Sequence, residues 1–108
     1  MKVSKDPAWR LLVGNRIVIL RNIKGVKQGE LASALGITTQ RLSNYERGAR
    51  PVDIEIAINI CSVLDSTLDF LYTGSQRGLP FHVAQQVARI EGRLALHGGD
   101  DGTDSLKN

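Results

Sequence analysis

The chain has 108 residues and a mass of 11.8 kDa, the size of one domain, and 42% of its residues are apolar, which is enough to build a core. No apolar run approaches the ~18 residues that cross a bilayer, and residues 1–7 lack the apolar core of a secretory signal, so we expect a cytoplasmic protein without membrane spans. The single cysteine, Cys61, cannot form an internal disulfide, and we expect it to be a small buried apolar residue.

Positive charge is concentrated in the first half of the chain. The net charge is +3, but residues 1–50 contain ten Lys or Arg and three acidic residues, whereas residues 51–108 contain four and eight. An anionic partner near the first half would explain this asymmetry. Solubilising surface charge would explain it equally well, so charge alone does not decide the function.

Hydrophobic periodicity predicts helices from the start of the chain. Asp6 followed by Pro7 is a favourable helix start, and apolar residues then recur at helical spacing until residues 22–25 end the run: Trp9, Val13, Ile17 and Leu20. A second, short helix begins near Gln28 and ends at Gly36, which tolerates the left-handed conformation of a helix C-cap. Its buried residues would be Leu31, Ala32 and Leu35.

Three further helices follow at short intervals. Thr38 is a natural N-cap for a third helix that runs to Arg47 and closes at Gly48. Asp53 can cap a fourth helix, whose inward positions include Ile56, Ile60, Val63 and Leu64. A fifth, very short helix is predicted from Ser66 to Tyr72.

A last helix follows a predicted linker at residues 75–78. Its apolar residues are spaced by four, three and four, as in an a/d seam: Val83, Val87, Ile90 and Leu94. Fewer than two heptads do not hold a coiled coil alone, so this helix should pack across a two-fold axis, onto its own domain, or against another protein through residues 79–96. We favour the dimer.

The predicted fold is all-α, because no segment alternates with a period of two. We expect a domain at residues 1–74, then the linker and C-terminal helix at residues 75–97. Residues 98–108 contain too few apolar side chains to offset the entropy of ordering, and we expect them to be disordered.

The third predicted helix has an unusual polar face. At about 100° per residue, five side chains fall within an arc of roughly 140°, opposite Leu42 and Tyr45: Thr39, Gln40, Ser43, Asn44 and Arg47. An ordinary solvated face favours Glu and Lys, whereas Thr, Ser and Asn are poorer helix formers. These side chains are therefore candidates for hydrogen bonding to a partner.

DNA base edges suit such a face. Gln and Asn can bond bidentately to adenine, Arg to guanine, and a Thr methyl group can contact the methyl group of thymine. A weakly charged helix surface without a partner is the alternative interpretation. The sequence thus makes DNA the candidate ligand of the third helix.

Residues 27–51, "KQGELASALGITTQRLSNYERGARP", resemble the helix-turn-helix of the Cro and phage-repressor type of DNA-binding domain. The matching features are Gln28, Leu31-Ala32, Gly36, Ile37 and Glu46-Arg47-Gly48, and the similarity extends from about Trp9 to Gly74. The resemblance implies five core helices, with the third in the major groove of DNA, in a dimer that binds two half-sites. Val52 departs from the pattern, which leaves the start of the fourth helix uncertain by a residue or two.

The resemblance also assigns individual roles. It places Thr39, Gln40, Ser43 and Asn44 opposite the bases, with Arg41 at the groove edge, where it could reach a guanine or a phosphate. Candidate phosphate contacts are Lys27, Gln28, Thr38, Arg47 and Arg50. It further implies a structural ion pair between Arg21 and Glu46, whose net stabilisation could be small because desolvation opposes the attraction.

The sequence contains no pattern typical of an enzyme, a cofactor site or a metal site. His82 and His97, for example, have no companion ligand at a useful spacing. The leading prediction is a sequence-specific, double-stranded DNA-binding regulator of transcription, a homodimeric repressor acting on the nucleoid in the cytoplasm. Two alternatives remain open at this point: the antitoxin of a toxin–antitoxin pair, and a protein-interaction adaptor that kept the fold.

Overall fold

Six helices account for most of residues 6–98, the range that the computed structural model describes, with side chains described for residues 6–93. They are α1 (Pro7–Lys24), α2 (Gln28–Leu35), α3 (Thr39–Glu46), α4 (Ile54–Leu64), α5 (Leu68–Thr73) and α6 (Phe81–Gly98). The described range contains no strand, in agreement with the predicted all-α fold. None of these helices is both long and apolar enough to cross a membrane. Residues 99–108 of the tail that was predicted to be disordered lie outside the described residues.

Local capping explains where the helices begin. Four of them start after a side chain that accepts a backbone N–H of the first turn: Asp6, Thr38, Asp53 and Thr67. The cap at Asp53 fixes the start of α4 at residue 54, which the departure at Val52 had left uncertain. Each such cap stabilises its helix by about 0.5–2 kcal/mol relative to alanine.

The predicted start of the fifth helix was wrong by two residues. Asp65 ends α4 in the left-handed conformation, with a φ of 58°, so Ser66 lies in the connection. The hydroxyl of Thr67 accepts the N–H of Phe70 at 3.0 Å and thereby makes Thr67 the N-cap. The helix therefore begins at Leu68.

The core surrounds α1, which contacts α3, α4, α5 and α6. Its largest fully buried side chains come from all six helices: Val13, Ile17, Leu20, Leu31, Leu42, Ile60, Leu64, Phe70, Leu71 and Val87. Val63, predicted to point inward, is half-buried against this core, and Cys61 is buried within it. Burial raises the pKa of the Cys61 thiol above its usual value.

The C-terminal helix packs onto its own chain, which corrects the predicted dimer seam. Val83 and Val87 are buried in the same core as α1, so neither is available to a second copy. Ile90 is half-buried, and the side chain of Leu94 lies outside the described residues. The physical reason is that a short apolar seam on a tethered helix meets its own domain at a high effective concentration.

Polar contacts reinforce the position of α6. Leu79 is buried just before the helix, and Gln76 donates a side-chain hydrogen bond to Glu91 at 3.1 Å. On α1, burial lowers the pKa of the Arg16 guanidinium from its usual value, and the carboxylate of Glu91 acts in the opposite direction. The predicted C-terminal helix thus packs on the same unit as α1–α5, which was one of the alternatives left open.

Candidate nucleic-acid interface

Helices α2 and α3 are joined by a three-residue turn, residues 36–38. Gly36 ends α2 with a φ of 71°, and its N–H contacts the carbonyl oxygens of Ala32 and Ser33. Thr38 then caps α3 by accepting the N–H of Arg41 at 3.0 Å. Because hydrogen bonds fix both ends of this short turn, the turn sets the position of α3 relative to α2.

The inner side of α3 is held by α1. Leu42 and Tyr45 are buried, and Gly14 of α1 lies so close that an added Cβ would be 2.3 Å from the carbonyl oxygen of Glu46. Gly48 has a φ of 74°, and a Cβ there would lie 2.8 Å from the Cα of Leu11. Two glycines therefore allow the backbones of α1 and the end of α3 to meet, which sequence reasoning missed. The available signal was Gly14 itself, a glycine on the apolar side of a predicted helix, between Val13 and Ile17.

The outer side of α3 carries the predicted polar face (Thr39, Gln40, Ser43, Asn44 and Arg47). Thr39, Gln40 and Arg47 are exposed, whereas Ser43 and Asn44 are half-buried. The structure therefore brings all five side chains to one accessible surface. An α-helix with such a surface has the width that the major groove of B-DNA accepts.

Four members of this polar face are joined by hydrogen bonds: Gln40, Ser43, Asn44 and Arg47. Arg47 donates from Nε to Ser43 Oγ at 3.3 Å and from Nη2 to Asn44 Oδ1. Gln40 donates from Nε2 to the same oxygen, Asn44 Oδ1, at 3.3 Å. Arg47, predicted to contact a phosphate, thus lies against the base-reading candidates Ser43 and Asn44.

Arg41 is held at the edge of the polar face. Its Nε donates to the hydroxyl of Tyr45 at 2.8 Å, its Nη2 is 3.4 Å from Asp53 Oδ2, and the guanidinium lies 5.6 Å from the centre of the Tyr45 ring. The side chain remains 43% exposed, so part of its donor set still faces outward. Neither contact was predicted: Tyr45 lies one turn further along α3, whereas the contact with Asp53 depends on where the chain leads after α3.

The expected pair between Arg21 and Glu46 is present beneath the interface. Arg21 donates from Nε and Nη2 to the two carboxylate oxygens at 2.7 and 3.1 Å, and its Nη1 donates to the carbonyl of Val26 at 3.1 Å. Gln28 donates from Nε2 to the same carboxylate at 2.9 Å. Glu46 is only 7% exposed, and its buried carboxylate is neutralised by Arg21 and accepts three hydrogen bonds. The ion pair joins α1 to α3, and the hydrogen bond from Gln28 joins α2 to the same carboxylate.

The other predicted phosphate contacts surround α3 or precede α2. Lys27, Thr38 and Arg50 are exposed, and the backbone N–H of Lys27 donates to the Glu30 carboxylate at 2.9 Å. Gln28 is half-buried and its side-chain amide donates to Glu46, so its contact with a phosphate stays a prediction for the second N–H of that amide and for the backbone N–H groups at the start of α2. Among the described residues, no group of three or more His, Cys, Asp or Glu could hold a metal ion.

A short helix with one buried side, a turn that begins at a glycine and a second helix with an exposed hydrogen-bonding face together form a helix-turn-helix. The chain belongs to the helix-turn-helix family. The sequence profile of that family matches residues 17–71. This range contains α2, the turn, α3 and α4.

Several curated relatives are named HTH-type transcriptional regulators. One from Rickettsia conorii is 28% identical over 82 residues, which is 73% of this chain and 66% of the relative. Another, YqaE of Bacillus subtilis, is 41% identical over 54 residues, half of this chain and 47% of the relative. The matches therefore span from about half to two thirds of these relatives' lengths.

Among solved structures, the chain is similar to the clp gene regulator ClgR of Corynebacterium glutamicum. One such structure has a TM-score of 0.54 and 26% identity, and the match covers 86% of this chain and 83% of that one. A second structure of ClgR has the same TM-score with 27% identity. The similarity extends well beyond the helix-turn-helix itself.

Proposed function

We propose that the chain binds specific sequences of double-stranded DNA and regulates transcription, with α3 lying in the major groove. The observation that carries this proposal is the exposed polar face of α3, held outward by Leu42, Tyr45 and Glu46. The family and the names of the relatives support the same function. Such a protein would act where the nucleoid lies, in the cytoplasm.

The division of labour in this proposal follows from position. Gln40 and Asn44, together with Thr39 and Ser43, face the bases, while Lys27 and Arg50 contact phosphates on either side. Base contacts give sequence preference, and phosphate contacts give affinity that falls with salt. The two groups of residues therefore predict different mutational effects.

The test begins with selection of bound duplexes from a random pool by the full chain, followed by binding measurements on the selected sequence. Gln40→Ala and Asn44→Ala should each flatten the preference at particular base pairs. Lys27→Met and Arg50→Met should weaken binding to all duplexes and reduce the slope of log K against log salt by about one each. A wild-type chain that enriches no sequence, and binds no duplex at any salt concentration, would contradict the proposal and favour a protein-interaction role.

We further propose that the protein acts as a homodimeric repressor. A single α3 reads only a few base pairs, which is too little for tight specific binding, whereas two copies read two half-sites about one helical turn apart. Since Val83 and Val87 are buried within one chain, the dimer must use another surface. Sedimentation of the protein with its selected duplex should give two chains per duplex. Transcription in vitro from a promoter that overlaps the site should fall; a rise would contradict repression.

A further inference from the structure

We infer that Arg47 determines which base edges Asn44 and Gln40 can recognise. Resting on the proposed DNA binding, this inference makes Arg47 a positioning residue for sequence readout, in place of the phosphate contact that its charge suggested. The evidence is the direction of the hydrogen bonds on the polar face of α3.

Arg47 fixes the orientation of the Asn44 amide. The two ends of an Asn side chain are nearly alike in shape, so its orientation follows from its hydrogen-bond partners. A guanidinium has only donors, and Arg47 Nη2 contacts Asn44, so the contacted atom must be the carbonyl oxygen. The second bond, from Arg47 Nε to Ser43 Oγ, holds the guanidinium in place.

The same logic fixes Gln40. Its side-chain amide contacts Asn44 Oδ1 at 3.3 Å, and because that atom is an acceptor, Gln40 must present its NH₂ group there. The hydrogen bonds therefore run from Arg47 to Asn44 and from Gln40 to Asn44. Arg47, the member of the network that cannot accept a hydrogen bond, sets both directions.

This arrangement leaves Asn44 with donors alone for DNA. A carbonyl oxygen has two lone pairs, and Asn44 Oδ1 already accepts two hydrogen bonds. Bidentate contact with adenine needs an acceptor as well as a donor, whereas guanine presents two acceptors, N7 and O6, in the major groove. With Arg47 in place, Asn44 should therefore prefer guanine to adenine.

Gln40 keeps the pattern that adenine requires. One N–H of its amide is used by Asn44, which leaves the carbonyl oxygen and the second N–H. These can accept from N6 and donate to N7 of the same adenine. The polar face thus combines an adenine reader with a guanine reader, although both residues carry the same functional group.

The decisive variant is Arg47→Met, which keeps much of the unbranched stem and removes the donors. Duplexes are selected from a random pool with the full-length wild type, with this variant and with Asn44→Ala. The position at which Asn44→Ala loses its preference identifies the base pair that Asn44 reads. At that position the wild type should prefer guanine, and Arg47→Met should shift the ratio of adenine to guanine by on the order of tenfold toward adenine.

Arg50→Met provides the matched control, because it removes the same charge from an exposed arginine three residues away. It should lower the affinity for all duplexes and leave the preference at the Asn44 position unchanged. If Arg47→Met behaves in the same way, Arg47 is a phosphate contact and the inference is wrong. A wild-type preference for adenine at that position also overturns it, while DNA binding itself stands. If the wild type selects no duplex, the proposed function fails, and the inference fails with it.

Discussion

Removal of the Glu46 carboxylate alone should destabilise the protein more than removal of the whole ion pair. The Arg21 and Glu46 side chains are only 13% and 6% exposed, so Glu46→Met leaves a guanidinium buried beside an apolar side chain. Breaking a buried pair in this way costs about 3–5 kcal/mol. Replacing both partners by apolar groups of similar volume is often neutral, so the double variant Arg21→Met/Glu46→Met should lose much less.

The assay is thermal and urea unfolding of the two single variants, the double variant and the wild type. For a domain of this size each kcal/mol lowers the melting temperature by about 4–8 °C, so Glu46→Met should melt at least ~12 °C lower. The double variant should recover most of that loss, and the double-mutant cycle should give a coupling energy well above the ~0.5 kcal/mol expected of independent sites. If the double variant instead loses as much stability as the two single variants together, the unpaired buried charge is not what costs stability, and the argument is refuted.

Three further changes test the packing and electrostatics. Gly14→Ala places a Cβ 2.3 Å from a backbone oxygen at the end of α3. It should lower the free energy of unfolding in urea by about 1–3 kcal/mol, because a backbone atom cannot move aside as easily as the end of a side chain. Val87→Ala should cost about 2 kcal/mol, independently of protein concentration, because the residue is buried within one chain. The Lys24 ammonium holds the pKa of Asp65 below its usual value, so this contact stabilises the fold above the unfolded-state pKa and is lost as the pH falls through the folded-state pKa. Asp65→Asn should therefore flatten the acid side of the stability profile slightly, because the pair is exposed.

Each of these changes has a control or a contradicting result. Gly29→Ala meets no atom within 4 Å, and should be neutral or stabilising by up to about 1 kcal/mol. If Val87→Ala keeps the stability of the protein but changes its sedimenting mass, Val87 lies in a dimer interface after all. An Asp65→Asn profile that parallels the wild type down to pH ~2 would show that the contact with Lys24 adds nothing to stability.

Most of the helix boundaries could be predicted because they depend on neighbouring residues. Asp6, Thr38 and Asp53 cap helices through side chains that reach an N–H two or three residues away. Gly36 ends α2 through its own φ. The prediction failed by two residues at Ser66, where two competing hydroxyl side chains stand next to each other and only one becomes the cap.

The candidate site was predictable as a surface, since helical periodicity alone separates Leu42 and Tyr45 from the polar face of α3. Which bonds its side chains make was not predictable. Arg41 is held partly by Asp53, twelve residues away, and Gln28 is bonded to Glu46, eighteen residues away. Long polar side chains choose among several partners, and only the packing of the helices decides which partners are within reach.

By itself, the sequence determined the helices, the polar face and the helix-turn-helix motif, because caps, periodicity and turn residues act over a few positions. The tertiary structure decided how close α1 and α3 come at Gly14, and that Val83 and Val87 face their own domain rather than a second copy. It also decided that the Arg41 guanidinium reaches Asp53. An apolar stripe or a guanidinium carries no information about its partner, since its attraction is satisfied by whichever surface or acceptor the fold brings near.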